Sequence, residues 1–337
     1  MKVLVTGGAG YIGSITAKAL EEAGHVPVVL DSLLTGPHVF VRDRIFYEGD
    51  IADRALVTRI VEEHPDLEAT IHMAARIVVP ESVAQPYEYY RDNVAKSLEL
   101  FDQLEQLGKP RVLFSSSASL YAVPHGTDDF EVTEAAPLAP GSPYARTKLM
   151  MEQVLEDMAA ATDLRAIILR YFNPIGSDPD LESGIYAKEP SHVLGQLVMA
   201  ARGQKDAFTI TGTDNPTRDG TGIRDYVHVW DLARAHVRAV EKFDEVLAAV
   251  GEPSVVINIG TGAGVTVREL VAAFEKVFGR EVPTREAPSR PGDVPGAFAN
   301  VDRAHELLGW HHELSIEDAI ASALAWGEKR QEILGYE

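Results

Sequence analysis

Short apolar runs alternate with helical stretches through the first half of the chain. Residues 2–6, 26–30, 45–47, 70–74, 111–115 and 166–170 read as strands, with blocks such as Val3-Leu4-Val5 and Val28-Val29-Leu30. These blocks lack the polar alternation of a half-exposed strand, as expected of parallel strands covered on both faces. Helical patterning fills residues 11–23, 54–63, 87–107 and 144–161. The alternation predicts an α/β fold, a Rossmann-like doubly wound parallel sheet with helices on both sides.

The pattern loosens after Asn173-Pro174-Ile175-Gly176. Residues 177–191 and 214–222 are rich in Pro, Gly, Asp, Ser and Thr and read as long loops. Loops of that length in a compact enzyme often border its active site. Helices are expected near 192–202, 231–243, 267–278 and 316–329, and one more buried strand at 255–259. The expected division is a dinucleotide-binding domain at 1–175 and a smaller α/β substrate-binding domain over most of 176–337. Segments near 224–245 and 254–262 are expected to return to the first domain.

The chain of 337 residues has a formal net charge of −20. Such a surface repels nucleic acid and anionic membrane. A phosphate site must then be built locally, from arginines and backbone N–H groups. There are no cysteines, which excludes disulfides, thiolate metal sites and a cysteine nucleophile. No metal is expected. No apolar stretch approaches the ~20 residues of a membrane span, and the N-terminal strand begins without signal-peptide patterning. A cytoplasmic protein is expected.

Candidate chemistry is concentrated at the ends of the expected strands. Gly7, Gly10 and Gly13 are spaced G-x-x-G-x-x-G between the first strand and the first helix, the context in which a glycine turn binds a dinucleotide. With Tyr11 and Ile12 they form a turn that lets backbone approach a pyrophosphate at a helix N-terminus. Asp31 ends the second strand, where a carboxylate accepts hydrogen bonds from the adenosine ribose and repels a 2′-phosphate. NAD is therefore expected rather than NADP. Asp50-Ile51 follows the third strand; Asp50 either meets the adenine or caps the next helix. His72 reads as a packed core histidine. Met73, Ala74 and Ala75 are small enough or flexible enough to let a cofactor approach.

Tyr144 and Lys148 lie four apart and share one helix face. A phenol has a pKa near 10, and a neighbouring ammonium is expected to lower it toward that of a usable base. Ser115-Ser116-Ser117 ends the fifth strand, at the carboxyl edge where doubly wound sheets bind ligands. Asn173 follows the sixth strand at the same edge. Arg224 and Arg290 are isolated arginines that read either as a diphosphate clamp or, each taken alone and more readily, as a surface residue or salt-bridge partner.

These residues resemble the extended short-chain dehydrogenase/reductases, and within them the UDP-glucose (UDP-galactose) 4-epimerases. The resemblance runs nearly end to end. Its landmarks are Val5 to Ser14, Glu48-Gly49-Asp50-Ile51, Phe114 to Ala118, Ser142-Pro143-Tyr144-Ala145-Arg146-Thr147-Lys148, Leu169-Arg170-Tyr171-Phe172-Asn173-Pro174, Asp219 to Val229 and Arg290-Pro291-Gly292-Asp293. The resemblance implies Tyr144 as base, Lys148 as its partner and ligand of the nicotinamide ribose, and Ser117 as the hydrogen-bonding serine. It places Asn93, Ser115 and Tyr171 about the cofactor. Asn173, His192, Arg224 and Arg290 would face the diphosphate, Asp293 the uridine ribose and Ala297 the sugar. It also implies a UDP-sugar substrate, bound NAD and a homodimer.

Three positions depart from the family pattern. Ile77 stands where members often carry a cofactor-reaching lysine, with Arg76 beside it. Ala122 replaces a common glycine, and Ala297 a bulky tyrosine. The activity expected is NAD-dependent epimerisation at C4 of a UDP-hexose, possibly including N-acetyl forms, through a 4-keto intermediate. The alternatives are another enzyme of the group, such as a UDP-uronate 4-epimerase, or a non-catalytic dinucleotide sensor. A 4,6-dehydratase is disfavoured because Ala118-Ser119 stands where an Asp-Glu pair is needed.

Overall fold

The computed structural model describes residues 1–122, 130–289 and 295–335. The first unit runs through β1 (Lys2–Thr6), α1 (Tyr11–Glu22), β2 (Val26–Asp31), β3 (Ile45–Glu48), α2 (Arg54–Glu63) and β4 (Leu67–His72). It continues with α3 (Val79–Ala84), α4 (Pro86–Tyr90), α5 (Lys96–Gln106), β5 (Arg111–Ser117), β6 (Glu131–Val132), α6 (Pro143–Ala161) and β7 (Arg165–Tyr171). Then come β8 (Asn173–Ile175), α7 (Val193–Ala201), β9 (Phe208–Thr211), β10 (Ile223–Arg224), β11 (Tyr226–His228), α8 (Val229–Glu241) and α9 (Phe243–Val250). The chain closes with β12 (Ser254–Ile259), β13 (Val265–Thr266), α10 (Val267–Phe278), β14 (Thr284–Ala287), β15 (Gly296–Ala299) and α11 (Ile316–Leu334).

Seven parallel strands form the main sheet in the order β12-β7-β5-β4-β1-β2-β3. Chain direction across the sheet reverses between β1 and β4. That switch point opens a crevice at the carboxyl ends of the strands, where ligands enter such sheets. One face packs against α1, α8 and α9 through residues such as Ile15, Leu20, Leu232 and Phe243. The other packs against α2, α5 and α6 through Ile60, Phe101 and Leu155. The central strands are largely apolar because both faces are covered, with polar residues such as His72, Ser116, Arg170 and Asn258 set among them.

A separate core joins α7, α10 and α11 around Leu197, Phe274 and Ile320. A four-stranded sheet, β13-β10-β15-β6, lies alongside. Segments from late in the chain return to the first unit: β12 pairs with β7, and α8 contributes Leu232 and Val240 to the core beneath the sheet.

Three expectations change. The stretch 87–107 is helical as expected, but it is not uniform: α4 passes through a π turn at Arg91–Ala95 into α5. The wider turn accompanies Asn93, whose amide bonds both backbone groups of Arg76. The helix expected at 231–243 spans Val229–Glu241, and α9 follows separately. The expected strand 70–74 is displaced to Leu67–His72, and Ala74 lies past its end, against Gly7. Among the described residues no helix is long and apolar enough to cross a membrane.

Candidate active site

The glycine turn is shaped by contacts that forbid side chains. Gly7 has φ +74°, and a Cβ there would lie 2.6 Å from the backbone nitrogen of Ala74. A Cβ on Gly13 would lie 2.2 Å from the Gly7 carbonyl oxygen. Gly10 donates its N–H to that same oxygen at 3.1 Å and begins α1 with no side-chain cap. The N–H groups of Tyr11, Ile12 and Gly13 in the first turn therefore face the crevice as anion donors. Asp31 accepts the N–H of Ala9 at 3.0 Å and of Leu33 at 2.8 Å. Burial raises its pKa, and the two backbone bonds oppose that rise. Each oxygen keeps a lone pair for a ribose hydroxyl. The turn, the uncapped helix and the carboxylate fit NAD.

Asp50 is not the helix cap. Asp53 caps α2 by accepting the Leu56 N–H at 3.1 Å. Asp50 instead accepts the Ala52 N–H and pairs with Lys96 at 2.5 Å, while Ile51 is buried beside it. His72 is a core residue, as expected. Thr6 and Ser97 hydroxyls meet its two ring nitrogens at 2.7 and 2.8 Å, and burial pushes its pKa down to about 3. Met73 and Ala75 continue from β4 beside Ala74. Ile77 is exposed, and Arg76 turns to Asp92 at 2.6 Å. Neither residue replaces a lysine directed at a cofactor.

At the end of β5 the structure brings the expected catalytic group together. Ser142 caps α6 by accepting the Ala145 N–H at 3.1 Å, and Pro143 occupies the first turn. This fixes where Tyr144 and Lys148 project. The Tyr144 phenol lies within hydrogen-bonding reach of Ser117. Lys148 is buried and donates to the Ser115 carbonyl at 2.7 Å. Its ammonium also stands 4.9 Å from the Phe114 ring centroid. Tyr171 is half-buried near Tyr144, edge-on to His236 at 5.9 Å.

The electrostatics differ from the expectation for Tyr144. Its pKa is raised by burial and only partly offset by the Ser117 bond. Lys148 does not draw it down, because the long side chain runs on to the β5 carbonyl. Burial lowers the lysine's own pKa to about 8, with Glu152 opposing.

On the substrate side, Asn173 is exposed and anchored by its N–H to the Asp225 carbonyl at 2.9 Å. Arg224 donates to the carbonyls of Ile223 and Pro295, each at 2.7 Å. It lies opposite Ala297 in the β10–β15 register. Ala297 packs against the cluster formed by Tyr121, Val132, Phe172 and Ala299. His192 caps α7, its Nδ1 accepting the Gly195 N–H at 3.2 Å. Burial pushes its pKa down to about 4. Arg290 and Asp293 lie outside the described residues. The Ser119 N–H bonds back to Ser117 Oγ at 3.2 Å.

Sequence reasoning missed four buried polar residues behind this group: Glu152, Arg170, Tyr121 and Asn258. Glu152 was within reach, since it continues the four-residue spacing of Tyr144 and Lys148. Asp225 was missed as an organiser. Its carboxylate accepts the N–H of Thr261 at 2.8 Å and of Gly262 and Ala299 at 3.1 Å, tying β15 to the end of β12.

A doubly wound sheet, a glycine turn at its switch point and a tyrosine–lysine helix beside it define a dinucleotide-dependent enzyme of the short-chain dehydrogenase type. The chain belongs to the NAD dependent epimerase/dehydratase family, whose model matches residues 3–260. It is similar to the UDP-glucose 4-epimerase of Bacillus subtilis, with 41% identity covering 97% of this chain and 96% of the relative. Among solved structures, the UDP-glucose 4-epimerase of Stenotrophomonas maltophila, with bound NAD and formylated UDP-arabinopyranose, gives a TM-score of 0.92. That likeness is at 36% identity and covers 98% of this chain and 99% of the other. The Brucella ovis UDP-glucose 4-epimerase in complex with NAD gives 0.88 at 42% identity over 96% and 97% of the chains.

Proposed function

We propose that this protein is an isomerase that interconverts UDP-glucose and UDP-galactose by inverting C4, with NAD as its cofactor. The observation that carries the reading is the Tyr144–Ser117 pair beside buried Lys148, at the same sheet edge as the glycine turn. NAD supplies a reversible hydride acceptor. Tyr144 takes the proton of the 4-hydroxyl and later returns it, while Ser117 shares that proton and aligns the hydroxyl. When its ammonium leaves the Ser115 carbonyl for the nicotinamide ribose, Lys148 brings its positive charge to the phenolate and favours it. The positive cofactor ring adds to it and offsets the burial that raises Tyr144 in the ligand-free protein. The sugar turns over as a 4-keto intermediate while its nucleotide stays held, so hydride returns to the opposite face.

Gly7, Gly10, Tyr11, Ile12 and Gly13 receive the pyrophosphate, and Asp31 the adenosine ribose. Asp50, Ile51, Met73, Ala74, Ala75, Asn93, Ser115 and Tyr171 complete the cofactor site. Asn173, His192, Arg224, Arg290 and Asp293 hold the UDP, and Ala297 faces the sugar. The enzyme works as a cytoplasmic homodimer. Exposed apolar residues Tyr87, Leu98 and Met150 along the α4–α6 face support that pairing. Incubating the purified protein with UDP-hexoses, their N-acetyl forms and UDP-uronates, and resolving the C4 epimers, tests the assignment. Turnover of uronates alone would replace it with the uronate reading.

A further inference from the structure

Three consecutive serines of β5 are matched by three residues of α6 spaced four apart. Ser117 meets Tyr144, the Ser115 carbonyl accepts from Lys148 at 2.7 Å, and the Ser116 hydroxyl donates to Glu152. Glu152 is 1% exposed. It also receives Arg170 Nε at 3.0 and 3.2 Å and Arg170 Nη2 at 2.5 Å.

Arg170 stands next to Ser116 in the β5–β7 register and next to Asn258 in the β7–β12 register. Its remaining donors go to the Tyr121 hydroxyl and the Glu134 carbonyl, each at 3.2 Å. Tyr121 passes its proton to Asn258 Oδ1 at 2.6 Å. A row of polar groups thus crosses three neighbouring strands inside the fold, directly behind the catalytic edge.

A buried ion pair is weak evidence of stabilisation, because desolvating both charges offsets most of their attraction. Apolar residues of similar volume would hold this position as well. The placement of the charge is better explained by what it faces. Glu152 lies one helical turn beyond Lys148. The titratable groups around that lysine are Tyr144 and Glu152 on α6, His72 on β4, and Arg170 and Tyr171 on β7. His72 is kept neutral by burial, and both tyrosines are kept protonated by it. Glu152 is the anion of the set.

We propose that Glu152 is a positioning residue of the epimerisation site: it supplies the negative charge that keeps the buried Lys148 ammonium protonated, while Arg170 and Ser116 fix where that charge sits. Burial pushes the lysine down to about 8, and Glu152 opposes the fall. Without the carboxylate, the ammonium loses its proton at a lower pH. Tyr144 then loses the cation that makes its phenolate accessible. The inference rests on the proposed roles of Tyr144 and Lys148.

The test is a pH profile of turnover for the NAD-loaded enzyme and for Glu152→Gln, which keeps the shape and much of the hydrogen bonding. The expected result is an alkaline limb displaced to lower pH by about one unit or more, the usual effect of one near charge. Glu152→Asp should restore much of the limb. A uniform loss of rate at every pH, or an unmoved limb, in a folded, NAD-containing variant would overturn the proposal. If Glu152→Gln does not fold, the double variant Glu152→Met/Arg170→Met removes the pair without leaving an orphaned charge, and a smaller displacement in the same direction is expected, because Glu152 lies nearer Lys148 along α6 and the opposing Arg170 charge is lost with it. Failure of both to fold makes the pair structural and also overturns it. Tyr144→Phe is measured in parallel. If that variant keeps its rate, the active-site assignment fails; if it loses its rate and the limb stays put, only the inference about Glu152 fails.

Discussion

The ammonium of Lys18 lies 2.9 Å from the carboxylate of Asp178, although 160 residues separate them. Lys18 is on α1, the helix that begins at the glycine turn. Asp178 is fully buried in the loop after β8. The same ammonium meets Asp180 at 2.6 Å and Glu182 at 2.9 Å. Tyr11, also on α1, donates to the Gly176 carbonyl at 2.7 Å. The cofactor helix and the loop leading to the substrate unit are therefore pinned together twice.

Replacing Lys18 by methionine should leave three carboxylates facing one another, one of them buried. The expected cost is about 2 kcal/mol, below the usual figure for a broken buried pair because Asp180 and Glu182 are exposed. Contact with the three carboxylates raises the lysine's pKa above its ordinary value. Its stabilisation is thus fully present at neutral pH and is lost only as pH rises through that raised value. Thermal melts of both proteins at neutral pH check this. A variant as stable as the parent would show that the cluster does not pin the loop.

Tyr144→Phe keeps the ring and removes the proton-transfer group. Turnover should fall by at least ~10²-fold, the lower scale for general acid–base catalysis. Melting temperature and NAD content should stay close to those of the parent, because neither the glycine turn nor Asp31 is touched. Near-normal epimerisation by this variant would move the base elsewhere.

Lys148 predicts a pH dependence of stability with a definite sign. Its folded-state pKa of about 8 lies below that of an unfolded lysine. Between those two values the unfolded cofactor-free chain binds more protons than the folded one, so stability from this group rises with pH. Below about 8 the buried charge is a penalty. Lys148→Met removes the penalty together with the bond to Ser115. The stability difference between wild type and variant should therefore shift in favour of the wild type from pH 7 to pH 10. Chemical denaturation of the NAD-free proteins across that range measures the slope. A difference independent of pH would mean that the lysine is not held at a lowered pKa.

Much of the fold was legible because its strands are buried on both faces, which leaves unbroken apolar runs such as Val3-Leu4-Val5. The glycine turn was legible because only glycine meets the contacts at positions 7 and 13. Local pattern failed where distant groups decide. The π turn at Arg91–Ala95 follows Asn93, whose partners are the Arg76 backbone and Thr147, and nothing within 87–107 announces them. Asp50 was read as a possible cap of α2, but Asp53 takes that place, and Lys96, from another helix, pairs with Asp50. Tyr144 and Lys148 were found by spacing, but the lysine's direction depends on a carbonyl of β5. Arg170 is hidden in a strand that otherwise reads as core.

We propose that the sugar specificity turns on Ala297. Its side chain packs against the small cluster of Tyr121, Val132, Phe172 and Ala299. Phe298, the neighbour able to fill the missing aromatic volume, faces the other way. Its ring lies over Gly264, where an added Cβ would come within 2.7 Å of it, and Ile223 also packs there. Adjacent residues of an extended strand point to opposite faces, so Phe298 could reach the Ala297 side only through a register slip. The pairing of Ala297 with Arg224 and of Phe298 with Glu131 fixes that register. Room beside the sugar's 2-substituent should therefore persist, and UDP-N-acetylhexosamines should be epimerised alongside UDP-glucose and UDP-galactose. Ala297→Tyr should depress the rate with UDP-GlcNAc by about tenfold or more, as a clash of over ~1.4 kcal/mol would, and leave UDP-glucose turnover nearly unchanged. The measurement is the ratio of the two rates before and after the substitution. A wild type that ignores UDP-GlcNAc, or a ratio that tyrosine leaves where it was, would show that another residue closes this space.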